Sequence, residues 1–421
     1  MTDTSSNPEA VPLRYPAELT HPGVPAYLTI HRYLPLAALY FFLNQAGLPQ
    51  GLFYTTLLSP FLFVWLYLKG QRWLTTKLLL VLSPFIVAQV VLGVSSYDFF
   101  ARSTLLMWTA YVTVYAFAYA LLNCENIERL FDQLIALNFV VAAIGLACIF
   151  TPLQKLFWMD AADAMVGAPH QLRMALGASE PSIYAELMLP LITFASLRLL
   201  HESSKRSLIY LLMICFPFLL AQSFGGLSIG LAGVGAALLM NFRLVLKKPR
   251  NFIIFACLAA GVAALLVIPN PISARVWDVL AGSDSSTRSR TIFSFIVAFA
   301  VASTKSLWWG AGLGQGKLID VSDLGVGFTI GVIPNATAGT LAEFGFIGVA
   351  VRFAAEIFLF FKTRVYVNSF RLAMFVAAFI TQLTGSHLMD VQQYLMWCFA
   401  FLPFFPGLDG RKQGDEEISR I

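Results

Sequence analysis

Apolar runs long enough to cross a bilayer recur along almost the whole chain, and they leave little room for any other fold. A helix needs about 20 mostly apolar residues to span the hydrocarbon core. Runs that meet this need occupy 29–46, 51–68, 76–96, 103–123, 130–151 and 181–199. Further runs lie at 207–223, 225–242, 251–270, 336–361, 371–388 and 391–407. Lipid offers backbone groups no partner, so each run must satisfy its own hydrogen bonds as a helix. The expectation is an all-α, polytopic membrane bundle of about twelve transmembrane helices. Composition agrees, since only 12% of the 421 residues are charged, about half the share of a soluble domain.

Alternating the loops from a cytoplasmic N-terminus sorts the charges. Lys69, Arg72, Lys77, Arg198, Lys205, Arg206, Arg243, Lys247, Lys248, Arg250, Lys362, Arg364, Arg371, Arg411, Lys412 and Arg420 all fall inside. That bias is the positive-inside pattern and sets both termini in the cytoplasm. It also accounts for the net charge of +5 without a nucleic-acid patch. The layout is a polar tail at 1–28, helices over 29–270, an external loop at 271–335, helices over 336–407 and a tail at 408–421. A second external loop covers 152–180. Residues 1–28 are polar and proline-rich, without the apolar stretch of a signal peptide, so the first span is expected to direct its own insertion. Within the larger loop, 291–309 is apolar and ends in Trp308-Trp309, which suits an interfacial or re-entrant helix. The five cysteines are scattered, with no pair at metal-ligand spacing.

Chemistry is expected in the external loops. Arg288 and Arg290 sit among hydroxyls in Ser-Asp-Ser-Ser-Thr-Arg-Ser-Arg, against the topology rule. A guanidinium fork matches phosphate oxygens, so an anionic headgroup is one reason for the pair; a solvated loop is the plainer one. The stretch Gly310-Ala-Gly-Leu-Gly-Gln-Gly316 could cradle an anion on exposed amides or serve close packing. Glu343 should lie about two turns inside the next span, where an acid is functional or paired. Ser179-Glu180-Pro181 reads as a helix start, so Glu180 either complements the helix dipole or acts chemically. Glu186 is a second acid within that span. His170, Arg173, His387 and Asp390 complete a polar set on the same face, and histidine is the natural proton carrier near neutral pH.

Three stretches together resemble the O-antigen ligase and Wzy-type polysaccharide polymerase superfamily. They are Arg173-Met-Ala-Leu-Gly-Ala-Ser-Glu-Pro-Ser-Ile-Tyr-Ala185, then Arg288-Ser-Arg290 with Gly310–Gly316, then Asn335-Ala-Thr-Ala-Gly-Thr-Leu-Ala-Glu343-Phe-Gly-Phe-Ile-Gly348. The resemblance covers most of residues 30–405. It implies metal-independent glycosyl transfer, with no cofactor, at the external face of the bacterial cytoplasmic membrane. The donor it implies is a glycan on undecaprenyl diphosphate, and a chain-length regulator protein is an implied partner. By position Arg288 or Arg290 would hold the diphosphate, with Arg173 as a second clamp. Gln315, Asn335, His170 and Asp390 would bind glycan or support the site.

The sequence also departs from the family's pattern. Leu341 stands two residues before Glu343 rather than three, and Ser223 is followed by Phe224 rather than arginine. Where many relatives carry histidine before the asparagine, this chain has Pro334. The base is therefore open among Glu180, Glu343 and His387. These departures favour a polymerase for exopolysaccharide or O-antigen over a ligase. The non-enzymatic rival is a flippase or transporter of lipid-linked glycan, which would place its acids near the midplane in both halves.

Overall fold

The computed structural model describes residues 47–48, 52–124, 126–160, 172–178, 180–247, 249–269, 271–318 and 333–408. The apolar run at 29–46 and both tails lie outside them. The described chain is helical throughout, apart from two short antiparallel strand pairs, Gly47–Leu48 with Leu52–Phe53 and Trp158–Asp160 with Leu172–Met174. Its longer helices are α1 (Tyr54–Leu68), α2 (Leu74–Leu92), α3 (Tyr97–Leu122), α4 (Ile127–Ala147), α5 (Pro181–Glu202), α6 (Lys205–Leu220) and α7 (Phe224–Met240). They continue with α8 (Pro249–Val267), α9 (Pro271–Leu280), α10 (Ser294–Ser303), α11 (Ala336–Lys362), α12 (Ser369–Thr384) and α13 (Val391–Phe401). Five of them, α2, α3, α4, α5 and α11, are long and apolar enough to cross a membrane. This is a helical membrane-embedded protein.

Burial sorts these helices by their surroundings. In α5, 89% of the most apolar window is buried, against 11% in α2. A helix apolar on every side can be stable in either place. Here α5 is the central post, packed by α4, α6, α7 and α12. The exposed Leu80, Val81, Val90 and Val91 of α2 make an apolar surface that water would not tolerate and lipid does.

Small residues let the inner helices approach. Along α7, Gly226 lies against Ala185 of α5, and Gly233 lies against the Ala373 carbonyl of α12. A Cβ on Gly233 would stand 2.9 Å from that oxygen, a position real side chains do not occupy. We expect Gly233→Leu to force α7 off α12 and cost about 1–3 kcal/mol, the usual range for overpacking. A fall in melting temperature in detergent, read by loss of the monodisperse peak after heating, checks this. An unchanged melting point would mean that the two helices do not depend on close approach.

At one end of the bundle, Phe131, Phe194, Phe370, Phe399 and Phe405 interlock, mostly edge to face, with ring centroids 4.7–6.2 Å apart. Nearby, Arg371 is only 7% exposed and donates to the carbonyls of Thr363, Ala400 and Phe401. It caps the ends of α11 and α13 rather than standing as a free loop charge.

The span expected at 336–361 is helical but not a straight rod. Gly345 has φ 65° and ψ −166°, a conformation essentially reserved for glycine. Sixteen residues of straight helix would part Ala336 from Arg352 by about 24 Å. Instead, Arg352 Nη1 donates to the Ala336 carbonyl at 3.3 Å and to Thr340 Oγ1 at 3.0 Å. The helix therefore folds back on itself at Gly345. Its first arm, 336–344, leans on its second, 346–362. Arg352 also pairs with Glu356 at 3.1 Å, and Gln382 of α12 bonds both of them.

The corner would leave helix carbonyls and amides without partners, and the glycine-rich segment supplies them. Ala311 and Gly312 amides donate to the carbonyls of Ala342 and Glu343. Phe346 and Ile347 amides donate to Leu307 and Trp308. Gly310, at φ +78°, lies so close that a Cβ would sit 2.5 Å from the Glu343 carbonyl. Close packing, the plainer reading of these glycines, thus has a definite partner. The apolar stretch at 291–309 forms α10 after a π-turn at Ser289–Phe293, and it buries Val297, Ala298 and Val301 against α11.

Candidate functional site

The starts of α5 and α13 lie well short of the ends of their neighbours. Tyr184 donates to Asn138 Oδ1 at 2.6 Å and ties α5 to α4. From that tie α4 runs on for about 14 Å, whereas α5 stops after about 5 Å. Likewise, Phe117 of α3 meets Phe399 of α13 at 5.9 Å. Beyond that contact α3 continues for about 30 Å and α13 for about 12 Å. The polar groups at the starts of α5 and α13 thus sit in a recess.

At its centre are Glu180 and Arg290, from loops far apart in sequence. Glu180 is the N-cap residue of α5, but its side chain bonds none of the helix amides. Its Oε2 accepts from Arg290 Nη2 at 3.1 Å and from Ser182 Oγ at 2.9 Å. The side chains are 29% and 47% exposed for Arg290 and Glu180, so the pair faces open space. Arg290 rides on the π-turn, a distortion common at functional sites. Its backbone is held by Asn335, whose Nδ2 donates to the Arg290 carbonyl at 2.9 Å and to the Leu383 carbonyl at 2.6 Å. Asn335 also caps α11 through Oδ1 to the Ala338 amide. Fully buried and spent on backbone groups, Asn335 is a support and not a sugar ligand.

Around this pair stand Glu186, Asp390, His387 and Gly385. Glu186 is 5% exposed and within electrostatic reach of Asp390, Arg290 and Glu180. A Cβ on Gly385 would stand 3.3 Å from Arg290 Nη1 and 3.9 Å from Glu186 Oε1, so the bare glycine makes room for the guanidinium. Asp390 caps α13 by accepting from the Gln392 amide at 3.2 Å. Burial pushes its carboxyl upward, and the neighbouring His387 draws it part of the way back. The His387 ring meets the Ile333 carbonyl through Nδ1 at 3.2 Å.

The remaining expected residues fall elsewhere. Arg288 is exposed and lies over the Phe293 ring at 5.3 Å. Arg173 reaches the Ala221 carbonyl at 3.3 Å, at the end of α6. Gln315 is buried and grips the Ser96 backbone on both sides, at 2.9 Å each, which fixes the glycine-rich segment to the start of α3. Glu343, expected two turns inside a straight span, instead stands two residues before the Gly345 corner. It remains within electrostatic reach of Tyr394, as do Asp390, Arg352 and Glu356. His170 lies outside the described residues.

Two residues that shape this region drew no notice in the sequence. Arg352 could have been found as a cation four residues before Glu356 in an apolar helix, since a charge there needs a partner. Gly385 carries no such signal, because only the folded chain places it against Arg290. Compared with protein-family models and with curated proteins, the chain matches none.

Both signs of charge meet in this recess, with helix starts and Arg290 set against the carboxyl groups of Glu180, Glu186 and Asp390. The N-termini of α5, α7, α11 and α13 converge on it, as the contacts of Ala185 with Gly226, of Asn335 with Arg290 and of Asp390 with Glu180 indicate. Each helix start carries about half a positive charge. Arg290 adds a full one, with carboxylates and an imidazole beside it for proton transfer.

Proposed function

We propose that this chain is a polysaccharide polymerase of the bacterial cytoplasmic membrane, with about twelve spans and both termini in the cytoplasm. It joins oligosaccharide repeat units carried on undecaprenyl diphosphate, at the external face, without a metal. The observation that carries this reading is the half-exposed Arg290–Glu180 pair in a recess where four helix starts converge. A guanidinium fork matches phosphate oxygens, and its hydrogen bonds strengthen as charge develops on a leaving phosphate.

In the reaction, an acceptor hydroxyl attacks the anomeric carbon of the donor sugar. The bond from that carbon to the phosphate oxygen breaks, and the electron pair leaves with the lipid diphosphate. The hydroxyl proton passes to a base in the recess. A ligase would share the donor and differ only in the acceptor.

The folded-back α11, with its buried Arg352–Glu356 pair, favours a second reading. Broken helices with buried charges are a mark of transporters, here for the same lipid-linked glycan. One experiment separates the two. The purified protein in lipid vesicles receives an undecaprenyl-diphosphate oligosaccharide, with chelator present. Laddered lipid-linked products are expected. Faster transbilayer movement of the lipid without any ladder would replace the polymerase with a flippase.

A further inference from the structure

We infer that His387 is the base that takes the acceptor hydroxyl's proton, an assignment that rests on the polymerase reading above. A carbonyl oxygen can only accept, so at 3.2 Å from the Ile333 carbonyl the Nδ1 of His387 must carry the ring proton. The neutral ring then presents its lone pair at Nε2, and no described residue donates to that atom. The tautomer needed for proton uptake is thus set by a backbone group.

His387 also belongs to the segment that packs against the group that would hold the leaving diphosphate. His387 is two residues from Gly385, whose Cβ position lies 3.3 Å from Arg290 Nη1. Ile333, its anchor, is two residues from Asn335, which holds the Arg290 carbonyl. The loops that carry the imidazole and its anchor thus both contact Arg290, which itself rides on the π-turn.

The rival bases are less suited. Glu180 already commits Oε2 to both Arg290 and Ser182. Glu343 stands about 10 Å along α11 from its start at Ala336, next to the Asn335 that holds Arg290. Asp390 lies within electrostatic reach of His387, so its carboxylate steadies the imidazolium that forms. In the step itself, the acceptor O–H bond breaks as the bond from oxygen to the anomeric carbon forms. The proton goes to Nε2, and the diphosphate departs with its electron pair toward Arg290.

His387→Asn tests this, because the asparagine amide can still donate to the Ile333 carbonyl but cannot take a proton. Binding of undecaprenyl diphosphate to protein in nanodiscs, and extension of an undecaprenyl-diphosphate oligosaccharide, would be measured side by side. Expected are unchanged binding, extension lowered by about 100-fold or more, and loss of the acidic limb of the pH profile. Glu180, Glu186, Asp390 and Arg290 face the same space and are kept in both proteins, so only the limb that vanishes belongs to His387. Extension within twofold of wild type with the limb intact would overturn the assignment and leave the polymerase reading standing. Loss of binding together with extension would make the imidazole a structural prop and overturn it too. A wild-type protein that neither binds the diphosphate nor extends the glycan would remove the reading on which the assignment rests.

Discussion

Arg290→Ala is expected to lower chain extension by about a thousandfold or more while the protein still inserts and folds. Removing one donor from a site that stabilises developing negative charge costs about 10²–10³ in rate. Here the loss is compounded, since Glu180 is left facing the incoming diphosphate with its charge unopposed. Folding should barely notice. The ion pair is half-exposed, and pairs of that kind are worth about 0–1 kcal/mol. The bond from Asn335 reaches the Arg290 carbonyl, which alanine keeps. Arg290→Lys should recover only part of the rate, because an ammonium cannot match two phosphate oxygens as a fork does. Arg288→Ala, by contrast, removes a side chain that rests on Phe293 at the surface and should lower extension far less. The ladder assay on protein with unaltered melting temperature decides it. Full activity in the Arg290 variant would remove the diphosphate assignment.

The second large effect concerns the corner of α11. Gly345→Ala should cost about 3 kcal/mol or more, enough to deplete folded protein from the membrane. At φ 65° and ψ −166° a Cβ is strained whatever the space around it. There is also no space, since the added carbon would meet the Trp308 carbonyl and stand 2.6 Å from the Gly310 amide nitrogen. The backbone bonds that close the corner, from Phe346 and Ile347 to Leu307 and Trp308, would be lost with it. Size-exclusion profiles in detergent after graded heating give the measurement. Wild-type stability in Gly345→Ala would mean that α11 is straight and that Arg352 does not reach Ala336.

Much of the architecture follows from local chemistry and was legible in residue order. Helices occupy the apolar runs from 51–68 onward, because lipid and a packed interior both leave the backbone no other way to satisfy itself. The helix start at Pro181 sits where Glu180-Pro181 announces it, and the one at Ala336 sits where the apolar run 336–361 begins. The polar character of Glu180, Arg290, His387 and Asp390 was equally plain. Their relation to one another was not. Glu180 and Arg290 stand 110 positions apart, and nothing local to either predicts the 3.1 Å contact.

What only the tertiary structure decided was which polar residues share a space and which are spent on holding it. Asn335 and Gln315 look like ligands in sequence, yet each is buried with its amide committed to backbone groups. The resemblance leads one to expect histidine where this chain has Pro334, and the fold sets the His387 ring against the adjacent Ile333 carbonyl. Gly345 is one glycine among 29 until its φ is known. The physical reason is common to all three. Hydrophobic periodicity acts within one helix and can be read along it, whereas hydrogen bonds between loops depend on how whole helices are offset. That offset is set by packing, such as Tyr184 on Asn138 and Phe117 on Phe399, between residues far apart in the chain.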